Sequence, residues 1–80
     1  MQKQQFVFTH EGRSYSIAAK HLPWKGKHGD ATDACLRTHA QYGDYIAFYV
    51  TCNAQSPEAG RCYCVCYFVR DRHVEYFTVN

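Results

Sequence analysis

The segment spanning residues 62–68 constrains the fold most, because cysteine occupies every second position at its start. These positions are Cys62, Cys64 and Cys66, and they alternate with Tyr63 and Val65. Residues two apart in a β-strand point to the same face, so the three thiols are expected to share one face of a sheet. The aromatic and β-branched residues between them favour a strand over a helix. The segment therefore predicts a strand with a cysteine face and a tyrosine–valine face.

The chain holds five cysteines and no C-x-x-C pair. Same-face strand positions lie about 6.5–7 Å apart, farther than two thiolates on one zinc ion, whose Zn–S bonds are about 2.3 Å long. Buried, reduced thiols are therefore the favoured interpretation. A Cys52–Cys62 disulfide and a metal site are the alternatives. We expect no cofactor and no metal, and a reducing cellular compartment.

The N-terminal part of the chain is typical of a β-hairpin. Residues 6–10 and 13–19 alternate apolar and polar side chains on either side of Glu11-Gly12. A two-residue connection that ends in glycine is a signal for a tight turn. The expected cross-strand pairs are Phe6 with Ile17 and Phe8 with Tyr15. Both pairs then lie on one face, while residues 1–5 are expected to be loose.

A basic loop and a helix are expected after the hairpin. Residues 20–29 combine one proline, two glycines, three lysines and the only tryptophan, which is typical of a loop. Asp30 follows as a helix N-cap, with Asp33 three residues later as in a capping box. Gly43 provides a stop signal. The sequence therefore predicts a helix over residues 31–41, with mostly small apolar side chains.

Three further segments, 45–52, 62–69 and 74–79, are rich in strand-forming residues. A polar hairpin loop, 53–61, joins the first two segments, and Asp71-Arg72 is a candidate two-residue turn before the third. Pairing Cys52 with Cys62 and Arg70 with His73 places one set of side chains on the same face: Ile46, Phe48, Val50, Cys52, Cys62, Cys64, Cys66, Phe68, Phe77 and Val79. These registers predict a three-stranded meander.

Together these elements predict an α+β domain with the order ββαβββ. The N-terminal hairpin and the meander form an antiparallel sheet, and the single helix packs on its cysteine face. A chain of 80 residues falls within the size of one domain, so a single domain over residues 1–80 is expected.

The opposite face of this predicted sheet carries five of the seven tyrosines and hardly a charge. An open antiparallel sheet normally presents polar side chains to water, and a contiguous aromatic patch marks an interaction site. The candidate partner-binding residues are Tyr45, Tyr49, Tyr63, Tyr67 and Tyr76 on the strands, with Trp24, Lys25 and Lys27 at the rim. The alternative is a structural face that the chain covers itself, with Trp24 folding across it.

The sequence therefore predicts a non-enzymatic module that docks a protein partner, or a second copy of itself, on the tyrosine face. The alternative is a protein that binds single-stranded RNA or DNA through the sheet aromatics and the basic loop of residues 20–28. Against this alternative, ββαβββ differs from the βαββαβ order of sheet-based RNA binders, and no RNP-like motif is present. No paired carboxylates or Ser-His-Asp pattern indicates catalysis.

The longest apolar run, 45–50, is far shorter than the roughly 20 residues of a membrane helix, and no signal-peptide pattern stands at the N-terminus. With reduced thiols, these features predict a cytoplasmic location. In its small size and lack of catalytic motifs, the chain resembles phage-encoded inhibitors of host defence, including anti-CRISPR proteins. The resemblance covers no specific residues, and it implies inhibition by docking on a partner.

Overall fold

The computed structural model describes residues 5–24, 28–53, 57 and 59–79. Their regular structure comprises one short 3-10 helix, Ala19–His21, and the strands β1 (Gln5–His10), β2 (Arg13–Ala18), β3 (Thr32–His39), β4 (Gly43–Thr51), β5 (Cys62–Phe68) and β6 (His73–Thr78). β1 and β2 form a two-stranded sheet, and the other strands form a four-stranded antiparallel sheet in the order β3-β4-β5-β6. The architecture is therefore almost entirely β, and the predicted α+β class is wrong.

The N-terminal hairpin is confirmed in its position and its register. Its cross-strand pairs include Phe6 with Ile17 and Phe8 with Tyr15. The turn residues have positive φ angles, 50° at Glu11 and 79° at Gly12, as a type I′ turn requires. Gln5 pairs with Ala18, so the strand includes a residue that was expected to be loose. Residues 1–4 lie outside the described residues.

The segment predicted as a helix, residues 31–41, contains strand β3 instead. β3 pairs antiparallel with β4, and the register shifts between Thr32 and Cys35. Asp33, predicted to help cap a helix, lies in this irregular stretch with a φ of 56°. Helix propensity is a weak prior that tertiary context overrides, and the small apolar residues here supply a poor helical stripe. As a strand, the segment satisfies the backbone groups along the edge of β4.

The predicted register of β4 against β5 is wrong by one residue. The Cys52 N–H donates to the Arg61 carbonyl at 2.9 Å, whereas the sequence analysis paired Cys52 with Cys62. Tyr49 consequently faces Cys64 and Ala47 faces Cys66. Because a slip of one residue turns every side chain of a strand to the other face, the cysteines of β5 do not lie on the covered face of the sheet.

The turn between β5 and β6 is longer than predicted. Phe68 pairs with His73, so residues 69–72 make the connection in place of the two-residue turn Asp71-Arg72. Arg72 adopts a φ of 60° within this connection. The resulting shift is two residues, which changes the cross-strand partners but keeps each side chain on its face. Phe77 therefore stays on the same face as the β5 cysteines.

The core lies between the N-terminal hairpin and the four-stranded sheet. Phe48 is fully buried, with its ring centroid 5.7 Å from that of Phe6 and 4.4 Å from that of Phe8. Tyr67 meets Phe8 at 5.8 Å. The hairpin, rather than the predicted helix, therefore packs on the sheet and covers the face that carries Phe48 and Tyr67.

The two predicted loops are described in part. The basic loop of residues 20–29 overlaps the 3-10 helix at its start, and residues 25–27 lie outside the described residues. In the polar loop, residues 54–56 and 58 lie outside them. Within the described part of the chain, no helix has the length and apolar character needed to cross a membrane.

Candidate functional site

The sheet has a second face, on the side away from the hairpin, which we call the open face. Side chains reach it from the positions that alternate with the core positions of each strand. From β4 to β6 they include Tyr45, Ala47, Tyr49, Cys62, Cys64, Cys66, Phe68 and Phe77. Cys35 and Arg37 of β3 pair with Ala47 and Tyr45 and join the same face. The open face therefore combines thiols, aromatic rings and few charges.

A groove of about 470 Å³ crosses the open face above Ala47. The cross-strand neighbours of Ala47 are Cys35 on β3 and Cys66 on β5. Because Ala47 contributes only a methyl group between two longer side chains, the surface is depressed at this position. Tyr49 and Phe77 are exposed in this region, by 40% and 59% respectively, so the groove has accessible aromatic walls.

The thiols of Cys64 and Cys66 at the floor of the groove are neutral at physiological pH. Burial, together with the neighbouring thiol of Cys64, raises the pKa of Cys66 to about 11. Burial also raises the pKa of Cys64. A thiol with a raised pKa has little thiolate and reacts slowly. The floor therefore behaves as a soft apolar surface rather than as a nucleophilic site.

The alternative cysteine chemistries gain no support from the geometry. Cys52 and Cys62 are both thiols, and the observed register directs Cys52 to the covered face and Cys62 to the open face. A disulfide requires Cβ vectors that point toward each other. Among the residues that the structure describes, no group of three or more potential ligands is arranged to hold a metal ion.

An aromatic cluster closes one end of the open face around Phe68. The ring of His73 stacks on Phe68 at 4.3 Å and an interplanar angle of 5°, and Tyr45 approaches at 4.9 Å. Tyr42 and His39 contact Phe68 edge-on at 5.7 and 5.9 Å. Nδ1 of His39 accepts hydrogen bonds from the N–H groups of residues 41 and 42. The β3–β4 turn is thereby tied to this cluster.

The charges near this cluster are paired locally. Nδ1 of His73 lies 2.5 Å from Oδ1 of Asp71, and Nε2 lies 3.2 Å from Oε2 of Glu75. The hydrogen bond to Asp71 raises the pKa of His73, and Glu75 adds to the effect. The same contact lowers the pKa of Asp71. These histidine–carboxylate pairs lie beside the groove, whose floor is formed by Ala47 and the neighbouring thiols.

The predicted tyrosine face is divided by the observed register. Tyr45 and Tyr49 lie on the open face. Tyr63 and Tyr67 lie on the covered face and are only 3% and 7% exposed. Tyr76 lies on β6, on the side of the hairpin, and is 52% exposed. These five tyrosines therefore do not form one continuous surface.

Of the three predicted rim residues, the structure describes Trp24, which is buried rather than at a rim. Trp24 is 4% exposed and packs against Phe6 and Tyr63, with ring centroids 5.3 and 5.9 Å apart. For Trp24, this is the alternative prediction, in which the chain covers the sheet face itself. Lys25 and Lys27 lie outside the described residues.

Of the residues that line the groove, Tyr45 and Tyr49 were among the predicted site residues, whereas the thiols and Phe77 were not. Cys35 was placed on a helix, and the sequence analysis assigned Cys64, Cys66 and Phe77 to the core. The available signal was the length of the β4–β5 connection, since adding or removing one residue there inverts the faces. Hydrophobicity does not indicate which face of β5 lies against the core, because both faces carry apolar side chains.

Comparisons with protein-family models, with curated proteins and with solved structures give no match.

Proposed function

We propose that this protein is a non-enzymatic binding module that docks a protein partner on the open face of its four-stranded sheet. The observation that carries the proposal is the groove of about 470 Å³ above Ala47. This volume falls within the roughly 300–1,000 Å³ of typical ligand pockets. A depression of this size with thiols at its floor would accommodate apolar side chains of a partner protein.

The distribution of polarity across the groove supports a protein partner. Its centre is formed by Ala47, by neutral thiols and by the rings of Tyr49 and Phe77. Asp33 and Arg37 line the groove at the β3 edge. A protein interface characteristically has an apolar, aromatic centre depleted in charge and surrounded by a polar rim. Aromatic residues at such a centre contribute most of the binding energy.

The charge pattern favours protein over nucleic acid. Binding to a phosphate backbone requires a groove with excess positive charge. Arg37 shares its rim with Asp33, and Glu75 lies opposite Cys66 across the sheet. Both carboxylates would repel phosphate. We therefore favour a protein partner over single-stranded RNA or DNA, and a binding experiment distinguishes the two.

The raised thiol pKa values support a binding role over an enzymatic one, because a nucleophilic cysteine needs a lowered pKa. A cytoplasmic location belongs to the same proposal, since Cys64 and Cys66 are free thiols and a reducing compartment preserves them. The role of a phage-encoded inhibitor of host defence stays a prediction, because it depends on size and class alone.

The test introduces a charge into the groove and compares it with the same charge elsewhere. Ala47→Lys places an ammonium group in the groove, whereas Val7→Lys places one on the hairpin, at a position that is 60% exposed. Immobilised wild-type protein is used to identify captured proteins, and the leading candidate is then purified and titrated by calorimetry. We expect Ala47→Lys to weaken binding at least about tenfold, as loss of a hot-spot contact does, while Val7→Lys matches the wild type.

Two results would overturn the proposal, provided that circular dichroism shows both variants folded. The first is equal affinity of wild type and Ala47→Lys for the purified partner. The second is binding of a 20-nucleotide single-stranded oligonucleotide whose affinity falls steeply with salt and is unaffected by competing partner protein, because such behaviour indicates phosphate recognition.

A further inference from the structure

Strand β6 forms one edge of the four-stranded sheet. The Val79 N–H donates to the Cys62 carbonyl at 2.9 Å, which fixes the alternation of hydrogen bonds along β6. Odd-numbered residues bond to β5, so the N–H and C=O groups of Val74, Tyr76 and Thr78 point away from the sheet. In the described part of the chain, no strand pairs with this side of β6. The edge therefore offers a regular row of donors and acceptors.

The two edges of the sheet differ in their protection. β3 has an irregular register between Thr32 and Cys35, and bulges of this kind hinder pairing with a further strand. β6 pairs with β5 without a break from residue 73 to residue 78. It contains no lysine or proline, and its one carboxylate is Glu75; lysine, proline and other charged residues are those that commonly blunt an edge. Tyr76 and Phe77 are 52% and 59% exposed, so apolar side chains flank the edge on both faces.

We propose that two copies of this chain join edge to edge through β6, as antiparallel strands related by a two-fold axis perpendicular to the sheet. Tyr76 then lies directly opposite Tyr76 of the second copy, and Val74 lies opposite Thr78. The two four-stranded sheets become one continuous sheet. A symmetric contact of this type uses the same surface on both copies and closes as a dimer.

The sequence of β6 selects this register among the symmetric alternatives. Centring the pair on Glu75 would place two like charges opposite each other, which destabilises a cross-strand pair. Centring it on Phe77 would shorten the overlap within His73–Thr78. Centring it on Tyr76 pairs residues 74–78, matches the outward N–H and C=O groups, and sets Glu75 opposite Phe77. This self-complementarity favours a second copy over an unrelated strand.

This inference goes beyond the proposed function and does not depend on what occupies the groove. A two-fold axis perpendicular to the sheet keeps the open faces of both copies on the same side. The dimer would therefore present two grooves on one continuous surface. A partner with two docking sites would bind such a surface with higher avidity than a single groove allows.

The test compares the same substitution on the two sheet edges. Tyr76 on β6 and Leu36 on β3 are both 52% exposed, so Leu36→Lys is a matched control for Tyr76→Lys. Sedimentation equilibrium is measured over a concentration series under reducing conditions. We expect wild type and Leu36→Lys to approach twice the 9.3 kDa chain mass, and Tyr76→Lys to weaken self-association at least about tenfold, because two ammonium groups would face each other.

A cysteine introduced at the two-fold axis tests the register. Directly opposed, hydrogen-bonded residues have Cα atoms about 5.5 Å apart, which suits a disulfide. Tyr76→Cys should form an interchain 76–76 disulfide under mild oxidation, identified by peptide mass mapping, whereas Thr78→Cys should not form a 78–78 bond. A wild-type chain that stays at 9.3 kDa, or a dimer that Tyr76→Lys leaves intact, would refute the proposal. If Ala47→Lys still forms the dimer, then dimerisation through β6 is independent of docking in the groove.

Discussion

Two phenylalanines on the same sheet provide a sharp test of which face is buried. The sequence predicts Phe48 and Phe77 together on the covered face, but the structure separates them. Phe48 is 0% exposed and Phe77 is 59% exposed. Phe48→Ala and Phe77→Ala remove the same atoms, so any difference in the free energy of unfolding reports their surroundings. Both variants are made in a Tyr76→Lys background, in which association through β6 does not contribute.

The expected magnitude follows from the contacts of Phe48. Truncation of a buried phenylalanine costs about 3–5 kcal/mol, and two ring contacts, at 4.4 and 5.7 Å, favour the upper part of that range. A chain of this size has a total stability of roughly 4–12 kcal/mol. Phe48→Ala should therefore lose a large share of it, while an exposed substitution such as Phe77→Ala should change it by about 0.5 kcal/mol.

Urea denaturation followed by circular dichroism measures both losses. With a slope of about 1 kcal/mol per molar urea, Phe48→Ala should shift the midpoint by several molar or be unfolded without denaturant. Phe77→Ala should shift it by less than about 1 M. Equal shifts, or a larger shift for Phe77→Ala, would refute the assignment of these faces.

Three further outcomes are expected. At the hairpin turn, Glu11→Asn should raise the melting temperature and Gly12→Ala should lower it, because φ is 50° and 79° at these positions and asparagine and glycine suit a type I′ turn. Because Asp71 raises the pKa of His73, His73 stabilises the fold below its ordinary pKa of about 6.5, and this contribution disappears as pH rises through the higher folded value. Thermal melts should show this pH dependence of the melting temperature, and His73→Gln should reduce it. At pH 7.5, Cys66, whose pKa is about 11, should react with iodoacetamide more slowly in the native protein than in protein unfolded in urea.

Each of these outcomes has a result that would contradict it. Destabilisation by Glu11→Asn would exclude the type I′ turn. If His73→Gln shows the same difference in melting temperature between pH 6 and pH 8 as the wild type, the pH dependence comes from other groups. Alkylation of Cys66 at the same rate in native and unfolded protein, measured by peptide mass spectrometry, would show that burial does not control its reactivity.

The hairpin and the strand segments could be predicted from the sequence because their signals are local. Alternation around Glu11-Gly12 defines both strands of the hairpin and their register. The aromatic and β-branched segments correspond to β4, β5 and β6 within one or two residues at each end. Local alternation identifies a strand without reference to the rest of the fold.

Strand β3 could not be predicted in this way, because its stability comes from β4 rather than from its own residues. Asp30, Asp33 and Gly43 match helix boundary signals. Asp33 and Gly43 instead have positive φ angles, 56° and 81°, and Gly43 begins β4. The pairing of β3 with β4 supplies the backbone hydrogen bonds that a helix would otherwise form within itself.

The cysteine part of the candidate site was missed for a related reason. A sheet face is specified when one side of its strands is clearly polar, but β5 carries thiols on one side and Tyr63, Val65 and Tyr67 on the other. Both sides satisfy a core. Which face of β5 is covered depends on the β4–β5 connection and on the packing of the hairpin rings against Phe48. Neither feature lies within the sequence of β5.

Cross-strand nuclear Overhauser effects between β4 and β5 test the central claim, that the thiols of β5 face the open groove. The bonds from Val69 N–H to the Asp44 carbonyl and from Cys52 N–H to the Arg61 carbonyl make Tyr49–Cys64 a pair without mutual hydrogen bonds, and such pairs bring their Cα atoms closest. We expect a strong Hα–Hα cross peak between Tyr49 and Cys64. A cross peak between Val50 and Cys64 in its place would show that the thiols face the core, and this would contradict the groove.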